Sequence, residues 1–165
     1  MMTMDSLERL RDWGSTLEQA LGIPIVIDPN GMLALTTKGG KAFSIAPASV
    51  PMGLIFTGIL GMADDTMPAS TLRALLAVNM APSLSGMANV GVAPATHQIL
   101  LKLTWMPNEA NWTESAFAGV LIAFAEHVDA LAGAIRDGEL QSILALASVP
   151  DPSLASSATD LTDLA

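Results

Sequence analysis

MPASTLRALLAVNMA (residues 67–81), PSLSGM (82–87) and ANVGVAPATHQILLKLTW (88–105) follow one another without a break, and their reading decides the fold. From Ala74 to Leu101 there is no Lys, Arg, Asp or Glu, so little of this run is built to face water. Its first part steps like a helix, with Leu72, Leu75, Leu76 and Met80 as an apolar stripe and Arg73 as its only charge. Pro68 suits a first helical turn, and Pro82 is expected to end the helix. The last part alternates instead. Ile99, Leu101, Leu103 and Trp105 share one face, with Leu100, Lys102 and Thr104 on the other, the pattern of a half-buried strand. Residues 87–93 and 97–105 are therefore expected to be strands.

Upstream, residues 5–21 read as an amphipathic helix with Leu7, Leu10, Leu17 and Leu21 on one side. Asp5 or Ser6 is the expected N-cap and Gly22 the stop. Gly14-Ser15-Thr16 is expected to loosen the middle, and Trp13 to serve as a core anchor. Strands are expected over 23–28, 32–37, 42–46 and 53–60, separated by the turn signals Asp28-Pro29-Asn30-Gly31 and Lys38-Gly39-Gly40-Lys41 and by Pro47 and Pro51. The last of these strands carries Leu54, Phe56 and Leu60 on one face and Ile55 and Ile59 on the other, which predicts a central strand covered on both sides. Asp64-Asp65-Thr66 is expected to open the second helix through capping.

Downstream, Thr113 begins a third helix in which Phe117, Leu121, Phe124, Val128, Leu131 and Ile135 recur at four- and three-residue steps. Gly138 is its expected end, and residues 139–147 suit a further short helix. Residues 1–148 then read as one domain and 149–165, rich in Pro, Ser, Ala and Asp, as a disordered tail. Strands in short succession with helices set between and after them predict an α+β fold: a twisted antiparallel sheet of five to six strands with three helices, α-β-β-β-α-β-β-α.

Composition narrows the function. The chain is 51% hydrophobic and only 14% charged, with a mean hydropathy of +0.49, against roughly a quarter charged in ordinary domains. Surface left without polar residues implies cover by another chain. A net charge of −9 disfavours nucleic acid and anionic membranes as partners. The absence of cysteine excludes disulfides. The uncharged stretch 42–63 is broken by Pro47, Pro51, Gly53, Gly58 and Gly61, so it reads as strand and not as a membrane span. The charged opening MMTMDSLERLRDWG is unlike a signal peptide.

Catalytic and cofactor motifs are lacking. His97 and His127 are the only histidines, and neither has further metal ligands at fitting spacing. Gly39-Gly40 lacks the phosphate-loop Lys and Ser/Thr, and Ser44 and Ser49 lack a nucleophile elbow. No enzyme activity, cofactor or metal is expected. Ten methionines admit two readings: gap filling in a core poor in aromatics, or an adaptable surface for irregular apolar partners.

The order of elements, with Leu21-Gly-Ile-Pro-Ile-Val-Ile-Asp28, Gly31-Met-Leu-Ala-Leu35, Phe43-Ser-Ile45, Leu72-Arg-Ala-Leu-Leu-Ala-Val-Asn79, Gly91-Val92 and Thr96-His-Gln-Ile-Leu-Leu101, resembles the class I type III secretion chaperones, the Tir-chaperone or CesT-like family. The likeness runs from about Asp5 to Asp137. It departs at Ala93-Pro94, where family members often carry an acidic residue, and in the long segment after Asp137. The resemblance implies a homodimer in the bacterial cytosol that binds the N-terminal segment of a secreted effector, keeps it locally unfolded and presents it to the export apparatus without ATP. It implies an effector groove built from Leu7, Leu10, Leu17, Leu33, Leu35, Phe43 and Ile45. It implies a dimer interface from the second helix (Leu72, Leu75, Leu76) and the strand carrying Ile99, Leu101 and Leu103. The competing functions are a non-catalytic dimeric scaffold or regulator, and a carrier of small apolar ligands.

Overall fold

The computed structural model describes residues 5–21 and 25–147. Six strands form one sheet in the order β1-β2-β3-β4-β6-β5. They are β1 (Val26–Ile27), β2 (Leu33–Thr36), β3 (Ala42–Pro47), β4 (Leu54–Met62), β5 (Asn89–Val92) and β6 (Gln98–Trp105), every neighbouring pair antiparallel. The helices are α1 (Ser6–Leu21), α2 (Ala69–Val78), α3 (Pro82–Ser85), α4 (Glu114–Asp137) and α5 (Leu140–Ala147). The expected α+β order is observed, with four strands in the first meander. The short α3 is additional. The tail expected over 149–165 lies outside the described residues.

One face of the sheet carries the core. Along β4, Leu54, Phe56, Gly58 and Leu60 are buried and meet α4, whose Phe117, Leu121, Phe124, Val128 and Leu131 are buried in turn. Ile135 packs at the margin of this seam. Gly58 sets how closely the layers approach: a Cβ there would lie 2.5 Å from Val128 Cγ2. Ile55 and Ile59 face the other side and are only half-buried. β4 is thus central in the sheet but covered by helices on one face, which corrects the expectation of cover on both.

The ends of α4 are fixed as its sequence dictates. Thr113 Oγ1 accepts from Ala116 N (3.2 Å), and Gly138 closes the helix in a left-handed conformation (φ +69). Ser6 Oγ is buried, donates to the Pro51 carbonyl (2.6 Å) and accepts from Gly53 N (3.2 Å), so it fastens the β3–β4 loop to α1. The helix runs unbroken through Gly14, which lets it approach β2: a Cβ there would sit 2.9 Å from Leu33 Cδ1. Trp13 is buried, as expected of an anchor. It stacks on Phe117 (centroids 5.0 Å) and meets Trp112 edge-on (4.9 Å).

α2 differs most from expectation. Its buried residues are Ala74, Leu75 and Val78, which turns Leu72, Leu76 and Met80 outward. Asp64 does not cap it. Its Oδ1 accepts from Thr66 Oγ1 (2.5 Å) and Thr66 N (3.0 Å) in a turn ahead of the helix, and these bonds hold the exposed carboxyl below its ordinary pKa. The helix ends at Asn79, while Pro82 opens α3. α5, with Leu140 and Leu144 buried, packs on α2 and α4.

Candidate functional site

The groove residues expected from the sequence divide into two sets. Leu10, Leu33 and Ile45 have no exposed surface and pack in the chain's own core. Their burial leaves them closed to another chain, because β2 and β3 turn these side chains inward against α1. Leu17, Leu35 and Phe43 converge. With Leu121, Ile122 and Ala125 of α4 they line a groove of about 480 Å³ between the end of α1, the β2–β3 hairpin and α4. Leu7 is half-buried and lies away from it, above Gly31, where a Cβ would come within 2.2 Å of Leu7 Cδ1. Gly31 has φ +82, so the turn after Asp28 needs glycine on both counts.

Ile122 stands 57% exposed at the lip of the groove. The rim is polar: Thr37 and Lys38 from the hairpin, Glu126 and Asp129 from α4. Ile122, Glu126 and Asp129 follow at steps of four and three and so share one helix stripe. The hairpin tip is latched to that stripe. Thr37 Oγ1 donates to Asp129 Oδ1, and Gly39 N donates to Asp129 Oδ2 (3.0 Å). Lys41 N in turn donates to Thr37 Oγ1 (3.0 Å). A Cβ at Gly39 would fall 2.6 Å from Asp129 Oδ1, so the glycine is what admits the carboxylate. The sequence showed Lys38-Gly39-Gly40-Lys41 as a turn. It carried no signal that joins the turn to a helix about ninety residues later.

The expected interface residues also divide. Leu75, Ile99 and Leu101 belong to the core, at 3%, 0% and 0% exposure. Leu103 is half-buried against it. Leu72 and Leu76 are exposed, and with Met80 and the edge residue Val92 they make a second apolar surface along α2 and β5. Leu72, Leu76, Val90 and Val92 line a smaller groove of about 200 Å³ there.

Seven of the ten methionines lie among the described residues. Met32, Met62, Met80, Met87 and Met106 are exposed, Met52 and Met67 half-buried, and none is buried. Met67 packs against the margin of the core, and core filling does not account for the five exposed ones. They supply flexible apolar contacts at the surface.

Among the described residues no group of three or more His, Cys, Asp or Glu is placed to hold a metal. His97 sits exposed in the β5–β6 turn with φ 57, and His127 packs over Gly86. Among the same residues α4 alone is long and apolar enough to cross a membrane. Its apolar seam is spent on the sheet.

The fold is shared with secretion chaperones. One chain of the ExsC–ExsE complex is 17% identical, with a TM-score of 0.61 over 76% of this chain and 92% of that one. The HopA1–SchA chaperone–effector complex gives 16% identity and a TM-score of 0.52, covering 75% and 96%. The Yersinia pestis type III secretion chaperone SycH, solved with a stable fragment of YscM2, gives 20% and 0.52, covering 74% and 98%. No curated protein matches the chain. The model of the Tir chaperone protein (CesT) family matches residues 15–132, which span α1 from Ser15 through most of α4 and include the groove. By fold and by this match, the chain belongs to the Tir chaperone protein (CesT) family.

Proposed function

We propose that this protein is a homodimeric chaperone of the bacterial cytosol that binds the N-terminal segment of a type III secreted effector and presents it to the export apparatus. The observation that carries the reading is the open groove floored by Leu17, Leu35, Phe43, Leu121 and Ala125 in a member of this family. An apolar cleft of this size in a rigid sheet-and-helix frame suits side chains delivered by another polypeptide. The structural neighbours include chaperones solved with effectors or fragments of a second protein, and the surface methionines suit a partner of irregular shape.

The groove residues on this reading are Leu17, Leu35, Phe43 and Ile122, and Leu7 is not among them. Leu10, Leu33 and Ile45 support them from within the core. A second copy covers Leu72 and Leu76 on α2, while Leu75, Ile99 and Leu101 form the core behind that surface; Leu103 lies apart, beside Met87 and Val120. Residues 1–148 act as the chaperone unit. No catalysis and no cofactor enter this scheme, since the work is binding alone. Co-expression with a secreted protein encoded beside it, followed by affinity purification, tests the reading. Capture that requires the effector's first segment supports it. A purified chain that instead carries a small apolar molecule in the groove and ignores the effector overturns it.

A further inference from the structure

The charges around the groove are unevenly used. Asp129 is committed: both of its oxygens accept bonds from the hairpin tip. Lys38, between Thr37 and Gly39 on the hairpin bank, is the one cation lining the groove, and it is paired with neither Asp129 nor Glu126. Glu126, one turn before Asp129, is exposed. The sole ion pair among the described residues joins Arg136 to Asp137, so Glu126 has no ion-pair partner among them. It lines the same groove as Leu17, Phe43 and Ile122, in a chain of net charge −9.

An apolar groove whose mouth carries two carboxylates, Glu126 and Asp129, against the single cation Lys38 selects for more than greasiness. We infer that the segment held here carries Lys or Arg beside its large apolar anchor, with the anchor on the Leu35–Phe43–Leu121 floor and the cation against Glu126. This rests on the chaperone reading above and adds to it a chemical class of client. The apolar floor supplies the attraction, while the carboxylate sets register and rejects segments with an acid at that position. The latch matters because it fixes where Glu126 stands relative to the floor. Thr37, Gly39 and Asp129 tie the hairpin bank to the α4 bank, so the distance from anchor to cation is set by the chain and not by the client.

The test uses the full-length chain and two fluorescein-labelled peptides of about 15 residues, composed of Leu, Ile, Ala and Ser, one with a single Lys next to the central Leu and one with Glu in its place. Fluorescence anisotropy at low salt is expected to show the Lys peptide binding about fivefold more tightly, a gap that closes as salt is raised. Glu126→Lys is expected to invert the order, and Ile122→Asp to abolish binding of both. Equal affinity for the two peptides, with binding still lost in Ile122→Asp, overturns the charge inference and leaves the groove in place. Binding that survives Ile122→Asp, or no binding of either peptide, overturns the inference together with the groove assignment.

Discussion

Asn79 clasps Val90 as a neighbouring strand would. Its Oδ1 accepts from Val90 N at 2.6 Å and its Nδ2 donates to Val90 O at 3.1 Å. β5 is an edge strand, and Asn79 occupies the outward backbone groups of Val90 that could otherwise recruit another chain. The C-cap of α2 therefore ties the helix to the sheet and plugs the edge with one amide. Asn79→Ala leaves two part-buried backbone groups unpaired. It is expected to cost about 1–3 kcal/mol, read as a lower urea midpoint with unchanged slope, and to raise aggregation on heating.

Gly86 answers to two demands at once. Its φ of +59 favours glycine, and a Cβ there would lie 2.3 Å from His127 Nε2. Gly86→Ala is expected to destabilise through both, with roughly 1–2 kcal/mol from the left-handed backbone alone. Adding His127→Ala removes the clash and not the strain. The double variant is expected to recover part of the loss in chemical denaturation; additive losses would show that the His127 contact does not matter.

These contacts mark the limit of what the sequence told. Periodicity located α1, α2, α4 and the strands because burial on one face imposes a spacing. The α4 seam from Phe117 to Leu131 was legible for that reason. The stripe of α2 was not. Leu72 and Leu76 lie on one flank of a broad apolar arc and Ala74, Leu75 and Val78 on the other, so spacing alone could not say which flank the sheet would take. The groove was half legible. The resemblance implies Leu17, Leu35 and Phe43 together with Leu7, Leu10, Leu33 and Ile45; Leu10, Leu33 and Ile45 share their character and differ in depth, which depends on how α1 lies over β2. The α4 contribution, Ile122 with Glu126 and Asp129, was missed because it flanks the seam that attracts the eye.

The outward face of α2 makes a sharp prediction about assembly. Leu76 is 67% exposed, so Leu76→Asp is expected to keep the melting temperature of the folded chain while shifting the species on light scattering from dimer to monomer. Leu75→Asp, at 3% exposure, and Leu101→Asp, with none, are expected to unfold the chain, since each buries an unpaired charge. A dimer unchanged in Leu76→Asp would place the second copy elsewhere.

The tryptophans offer a probe of α1. Trp13, Trp105 and Trp112 meet in one cluster with Phe117. Trp13→Ala is expected to cost about 3–5 kcal/mol and to collapse the near-ultraviolet circular dichroism of the whole cluster. A small, local spectral change would mean that α1 docks without its anchor.

Leu33→Asp is an unsuitable probe of the groove, because Leu33 is wholly buried and the variant is expected to unfold. Ile122→Asp alters the lip and spares the core. The decisive measurement is isothermal titration of the effector's N-terminal segment into folded wild-type and Ile122→Asp chains whose thermal stability is matched. The account predicts saturable binding to the wild type and a loss of at least about tenfold in affinity, roughly 1.4 kcal/mol, in the variant. Equal affinity in the two would contradict it.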